Sequence, residues 1–284
     1  MTPKVRYPAV AEEFYPAEAG ELNALLTDLF QKECSLPGMK TPRALIVPHA
    51  AYRYCGKVSA DAYKSIEGRS FRTVILLGNA HSYLFKGIAI DTHDEWRSPC
   101  GKVPVDHALG KQLIGLNPEL FHELEIAHHC DHVLEVQLPF LQHALKPGFS
   151  ILPLLFGENK PDVCRRAADH LLSVMTDDDL VVASTDLAHY PSYRDARTID
   201  RTTLDYMVNM DIEGLARHET DVRKRHIAGA ISAFCSPDAV KTVLEIAHRM
   251  GWAAEEISYQ NSGDAVHDDR SAVVGYGAIA FHLP

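Results

Sequence analysis

No apolar run in this 284-residue chain approaches the length of about 20 residues that crosses a bilayer as a helix. The first ten residues, MTPKVRYPAV, lack the apolar core of a signal peptide. Both absences set the expectation of a cytoplasmic protein with no membrane partner. No Gly/Ser-rich or Pro-rich stretch divides the chain, and no internal repeat is present, so a single domain spanning 1–284 is expected. A chain of this length can bury a sizeable core in one α/β unit. Positive charge is in deficit: 28 Lys and Arg stand against 38 Asp and Glu, a formal net charge of −10. An acidic surface repels phosphate backbones, which argues against a nucleic-acid partner. The basic cluster Arg223-Lys224-Arg225-His226 is short and reads as a solvated face. There is no Cys-x-x-Cys pair. Cys34, Cys55, Cys100, Cys130, Cys164 and Cys235 are scattered, and in a reducing compartment they stay thiols, free to serve as ligand or nucleophile.

What is present is ordinary globular composition, 46% hydrophobic and 23% charged, with 16 histidines, many for this length. Short apolar, β-branched runs predict strands over Arg43–Val47, Thr73–Leu77, Gly87–Ile90, Ser150–Phe156, Leu180–Ala183 and Ser271–Phe281. Pro153 suggests that the fourth of these is an edge strand or carries a bulge. Helical spacing of apolar residues predicts helices over Glu21–Lys32, Val58–Ile66, Leu134–Leu145, Asp162–Met175, Thr198–Met210 and Pro237–Met250. Near-continuous apolar strands alternating with helices predict an α/β fold: a mixed, largely parallel sheet covered by helices on both faces.

Three predicted strands stop in polar residues. The first runs into His49, the second into His81, and the fifth into Asp186 with His189 three residues on. Sites in open α/β sheets form outside the carboxyl ends of the strands, so parallel neighbours would turn these four side chains into one crevice. Cys235 precedes a helix opening at Ser236-Pro237, with Ser236 a suitable N-cap and Pro237 at the first helical position. Unpaired amides there would lower the thiol pKa and favour the thiolate. Two neutral imidazoles and one anion suit a divalent first-row metal with open positions. A carboxylate as the anion would point to ferrous iron; a thiolate softens the site and brings copper and zinc into competition with iron. Asp186 or His189 could supply a ligand instead, His189 could act as general base, and Asp186 could orient it. The segment His128-His129-Cys130-Asp131-His132 is ligand-rich too, with a polar loop as the plainer reading; within it, His132 and Glu135 stand one turn apart.

These residues resemble the Memo family, whose bacterial and archaeal members are called AmmeMemoRadiSam system protein B. Tyr7-Pro8-Ala9-Val10 with Phe14-Tyr15-Pro16 resembles PAVAGxFYP, and Pro48-His49-Ala50-Ala51-Tyr52 with Tyr54-Cys55-Gly56 resembles PHAGYxYSG. Leu77-Gly78-Asn79-Ala80-His81 falls where GPSH is usual. Trp96 to Asp106 resembles WxTPLGxVxVD, and Asp131 to Phe140 is similar to EHSxEVQLPFL. Ser184-Thr185-Asp186-Leu187-Ala188-His189-Tyr190 resembles SSDLSHY. Cys235 lies where the family has CG before a helix, and Tyr259 to Asp264 with Val274-Gly275-Tyr276 resembles its closing segment. The chain departs from the pattern at Ala51, Asn79-Ala80, Asp131, Val133 and Ser236.

The resemblance implies a fold like that of class III non-haem iron extradiol dioxygenases. It implies metal ligands at His49, His81 and Cys235, active-site roles at Asp186 and His189, and a pocket histidine at His132. The activity it suggests is a metal-dependent oxidoreductase of dioxygenase type, holding a small molecule and O2, with iron as the first expectation and copper or zinc as alternatives. A non-enzymatic role is the alternative: binding a peptide, buffering a metal, or acting with the AMMECR-type and radical SAM proteins that the system's name implies. Eukaryotic relatives are known as mediators of cell motility signalling.

Overall fold

The structure is a computed structural model that describes residues 2–32, 40–225, 227–266 and 269–284. Cys34 and His226 lie outside the described residues. The chain runs through β1 (Val5–Arg6), α1 (Ala19–Gln31), β2 (Ala44–Val47), α2 (Tyr52–Lys64), β3 (Thr73–Asn79), β4 (Ile88–Ile90), β5 (Glu95–Ser98) and β6 (Gly101–Pro104). It continues through α3 (His107–Leu116), β7 (Phe121–Glu123), α4 (Glu125–His129), α5 (Gln137–Ala144), β8 (Ser150–Phe156), α6 (Val163–Val174) and β9 (Leu180–Ser184). It closes with α7 (Tyr193–Val208), α8 (Ile212–Lys224), α9 (Pro237–Met250), β10 (Ala253–Asn261), α10 (Ser262–Ala265) and β11 (Gly275–His282).

The strands of the main sheet lie in the order β10-β11-β2-β9-β3-β8-β4-β7, and β1, β5 and β6 form a separate small sheet. The centre of the large sheet, β2-β9-β3-β8, is parallel throughout. Antiparallel pairs flank it: β11 on β2 and β10 on β11 at one side, β4 on β8 at the other. The period-2 alternation of strand side chains divides the apolar runs between two cores. Leu45, Val47, Val74, Leu76 and Val182 pack on one face under α1, α2 and α5, through Leu22, Val58 and Phe140 among others. Ala44, Ile46, Ile75, Leu77 and Val181 pack on the other under α6, α7 and α9, through Leu171, Leu204 and Val243. Burial on both faces is why these strands read as continuous hydrophobic runs.

Several expectations need correction. Pro153 is in neither an edge strand nor a bulge: β8 is flanked by β3 and β4, and its pairing with β3 runs without a register shift. The Ile151 carbonyl, two residues earlier, faces Val105–Asp106 rather than β3, so the missing N–H of Pro153 also points away from β3. The β4 ladder ends at Leu154, so no bond is lost. The last strand begins at Gly275, not Ser271, because Val273 and Val274 instead bind the Tyr190 and His189 loop. Helix α2 begins at Tyr52, six residues before the predicted start, and α5 begins only at Gln137. Helices α3 and α8 and the partly exposed strand β10 were not predicted; AAEEISYQN alternates too weakly to read as a strand. Within the described part of the basic cluster, Arg223, Lys224 and Arg225 are exposed, as a solvated face requires, and Arg223 and Arg225 pair with Glu219 and Asp221 on α8.

Candidate metal centre

The three strands that end in polar residues, β2, β9 and β3, are parallel neighbours. Their carboxyl ends deliver His49, Asp186 and His81 to one edge of the sheet, as the sheet geometry requires. Cys235 arrives from the segment that leads into α9. It is tied to the β9 end by two bonds: its amide donates to the Asp186 carbonyl (3.2 Å), and the Asp186 amide donates to Cys235 Sγ (3.2 Å). The sulfur lies 3.2 Å from His49 Nε2. Ligand-type atoms of His49, His81 and Cys235 all fall within 4.8 Å of one another. His132 is the third imidazole, with its ring 5.5 Å from that of His49 and 5.6 Å from that of His81, and with Phe14 packed on it at 4.8 Å.

Backbone carbonyls orient the rings of His81 and of His189, which also lines the site. His81 Nδ1 lies 2.8 Å from the Asn79 carbonyl, and His189 Nδ1 lies 2.8 Å from the Leu187 carbonyl. A carbonyl only accepts, so in the neutral rings Nδ1 carries the proton and Nε2 keeps its lone pair. The Leu187–Tyr190 loop is pinned against β11: the Leu187 amide donates to Gly275, Gly275 donates to Ala188, and His189 bridges Val274. The Asp200 carboxylate accepts the Ala188 amide (2.9 Å) and crowds Gly275, where a Cβ would meet it at 2.0 Å, so only glycine fits there. Tyr190, next to His189, has φ of +66°, a conformation that costs a non-glycine residue energy and that gathers at functional sites.

Electrostatics set the protonation states. Burial, then the neighbouring His81, His132 and His189, hold the His49 imidazole well below its usual range, so it is neutral at pH 7. Burial, then the Asp186 charge, pushes the Cys235 thiol up to about 12. This corrects the expected thiolate: Ser236 is indeed the N-cap and Pro237 follows it, but loss of water around the sulfur outweighs the helix amides. Without a cation the sulfur keeps its proton. Burial also raises Asp186, against the pull of His189 and of the His49 amide, which donates to Oδ1 at 2.8 Å.

The centre opens into a cleft of ≈ 790 Å³, lined by His49, His81, His132, Asp186, His189 and Tyr276 among others. All six candidate residues from the sequence thus come together: Cys235 beneath, the other five on the cleft wall. Glu135 does not join them. Its carboxylate turns the other way and accepts from Arg6 Nη1 (2.8 Å), the amides of Ala9 and Val10, and the Tyr15 hydroxyl. A second group of ligand-type atoms, Asp91, His93 and Glu125, is already engaged. His93 and Trp96 occupy the two oxygens of Asp91, and Lys4 and Thr92 bind Glu125.

Ser184 and Gln137, both fully buried beneath His49, were not singled out from the sequence, although each lies in a matched motif. Asn79 acts in a way its position did not foretell. Its Oδ1 accepts from the amides of Asp238 (3.0 Å) and Ala239 (3.3 Å), so a side chain from the end of β3 caps the α9 helix behind Cys235. Ser236 makes no such bond. Ala51, where the motif it resembles has glycine, sits at φ of −60°, where no glycine is needed. Asn79→Ala is expected to lower stability by about 1 kcal/mol, the usual worth of an N-cap, measured by urea unfolding. A loss within error would mean that the helix end is satisfied otherwise.

A family model described as "Memo-like protein" matches residues 6–280. Curated relatives are described as "MEMO1 family protein". One from Sulfolobus acidocaldarius is 34% identical, with 98% of this chain and 99% of the relative covered. One from Aquifex aeolicus is also 34% identical at the same coverage, and one from Nitrosopumilus maritimus is 31% identical over 98% of this chain and 99% of the relative. In structure the chain is similar to a crystal structure of an uncharacterized protein from Escherichia coli K12, with TM-score 0.50, 14% identity, and 84% of this chain and 99% of that one covered. That likeness concerns the fold alone. No helix among the described residues is long and apolar enough to cross a membrane.

Proposed function

The chain belongs to the Memo family, and on that premise we propose that it binds a divalent first-row metal through His49, His81 and Cys235 and acts on a small molecule in the adjoining cleft as an oxidoreductase of the extradiol dioxygenase type. The observation that carries the reading is the convergence of two imidazoles and one sulfur within 4.8 Å at the carboxyl ends of parallel strands. The donor set fits a metal: His81 is held with Nε2 free, His49 is neutral, and the cysteine offers one soft anion once its proton leaves. Iron is the first choice, with copper and zinc favoured in turn by the sulfur. When bound, iron or copper would supply a Lewis acid and an electron relay for substrate and O2, whereas zinc would supply the Lewis acid alone.

The remaining tasks fall to the chain's own groups. His189 Nε2 takes a proton from a substrate hydroxyl and later returns it, while the Leu187 carbonyl keeps its ring oriented. Asp186 holds the His49 backbone through the bond to its amide, and from the cleft wall its carboxyl faces the same space as His189. His132 completes the imidazole wall on the side of Phe14. A second reading, binding or metal buffering without turnover, with a peptide or with AMMECR-type and radical SAM partners, draws support from the thiol itself. A sulfur ligand is oxidisable where a carboxylate is not.

The experiment is elemental analysis of protein purified without added metal, together with oxygen uptake on a panel of catechols. About one metal per chain with turnover supports the oxidoreductase, and metal without turnover supports the buffering role. His49→Ala is expected to abolish stoichiometric metal. A His49→Ala variant that still holds one metal per chain would overturn the reading.

A further inference from the structure

Beneath the candidate metal ligands lies a run of buried polar groups whose donors and acceptors can be assigned without ambiguity. The Pro48 carbonyl only accepts, and Gln137 Nε2 lies 2.9 Å from it; the other end of the amide, Oε1, receives the Tyr63 hydroxyl at 3.0 Å. The reversed amide would set oxygen against oxygen at Pro48, so the atom 2.8 Å from Ser184 Oγ is the NH2 group, and it donates. Ser184 has a single proton, and it goes to the Val133 carbonyl at 2.6 Å. Toward His49 Nδ1, at 3.1 Å, the hydroxyl can then only accept. Nδ1 must carry the ring proton, and Nε2, 3.2 Å from the sulfur, is left with its lone pair.

We infer that Ser184, oriented by Gln137 and the Val133 carbonyl, is a positioning residue that locks His49 in the Nδ1–H tautomer and so presents Nε2 as a ready ligand. The inference rests on the metal-centre reading for its consequence, but not for its geometry. All of Tyr63, Gln137 and Ser184 are inaccessible to solvent, and His49 nearly so. In such surroundings the opposite tautomer would leave a buried donor or acceptor unpaired, which disfavours it. Here the preference is set before any cation arrives, and it reaches from Tyr63 on α2 through Gln137 on α5 to Ser184 on β9.

The test is the nitrogen-15 spectrum of the metal-free protein labelled at histidine, in which long-range couplings tell a protonated ring nitrogen from a bare one. The wild-type protein is expected to show His49 with Nδ1 protonated and Nε2 bare. A bare Nδ1 with a protonated Nε2 would overturn the inference without recourse to any variant. Ser184→Ala removes the acceptor, and it is expected to shift His49 toward the other tautomer and to weaken metal binding about 10–100-fold, the range for such supporting contacts. An unchanged His49 spectrum in folded Ser184→Ala would equally overturn it. Should the protein bind no metal at all, the proposed function fails, and the nitrogen spectra still decide the tautomer.

Discussion

Replacing Cys235 with alanine is expected to lower affinity for a divalent metal by more than about a hundredfold, beyond the range that supporting groups around a ligand produce. Competition with a chelator of known affinity measures it. The pH dependence separates a ligand from a bystander. The Cys235 thiol is pushed up to about 12, and His49 is neutral at pH 7, so entry of the metal must release the thiol proton. The sign follows: between the pH where His49 becomes neutral and about 12, each rise of one unit strengthens wild-type binding by up to about tenfold. Cys235→Ala has no proton to release there, and its curve should be flatter by one proton. Equal slopes in the two proteins would remove the sulfur from the centre.

Glu135→Ala is expected to cost about 3–5 kcal/mol of stability, the loss typical of breaking a buried ion pair by removing one partner. The Glu135 carboxylate and the Arg6 guanidinium are each 1% exposed and meet at 2.8 Å. Arg6 also donates to the carbonyls of His128 and Asp131 and stacks over Trp96 at 4.2 Å. Removal of Glu135 strands that charge together with the amides of Ala9 and Val10 and the hydroxyl of Tyr15. The same bonds hold the amino-terminal segment that places Phe14 against His132, so the variant should also loosen one wall of the cleft. Urea unfolding reads the stability, and a loss below about 1 kcal/mol would mean that water or another group satisfies the stranded donors.

The site was more legible in the sequence than the fold's margins were, for a physical reason. His49, His81 and Asp186 each follow an apolar strand directly, so their placement depends only on β2, β3 and β9 being parallel neighbours. Cys235 was legible through Ser236-Pro237, yet its protonation was misread, because desolvation depends on what packs around the sulfur and no local pattern carries that. Glu135 looked like a partner of His132 by its spacing and proved to face Arg6, which is 129 residues away in the chain. Ser184 and Gln137 hid for the opposite reason: a serine ending a strand and a glutamine opening a helix are ordinary until the third residue they meet is known. The cap on α9 from Asn79 is of the same kind, a contact across 159 residues. Strand β10 was missed because its side chains are only partly covered, which leaves it without the apolar run of a central strand.

Anomalous scattering from crystals of freshly purified protein, recorded on both sides of the iron, copper and zinc absorption edges, would identify and place the metal in one experiment. The expected map has one strong peak bounded by Nε2 of His49, Nε2 of His81 and Sγ of Cys235. A metal found only at Asp91, His93 and Glu125, or held by His49 and His81 with Cys235 turned away, would contradict the centre proposed here.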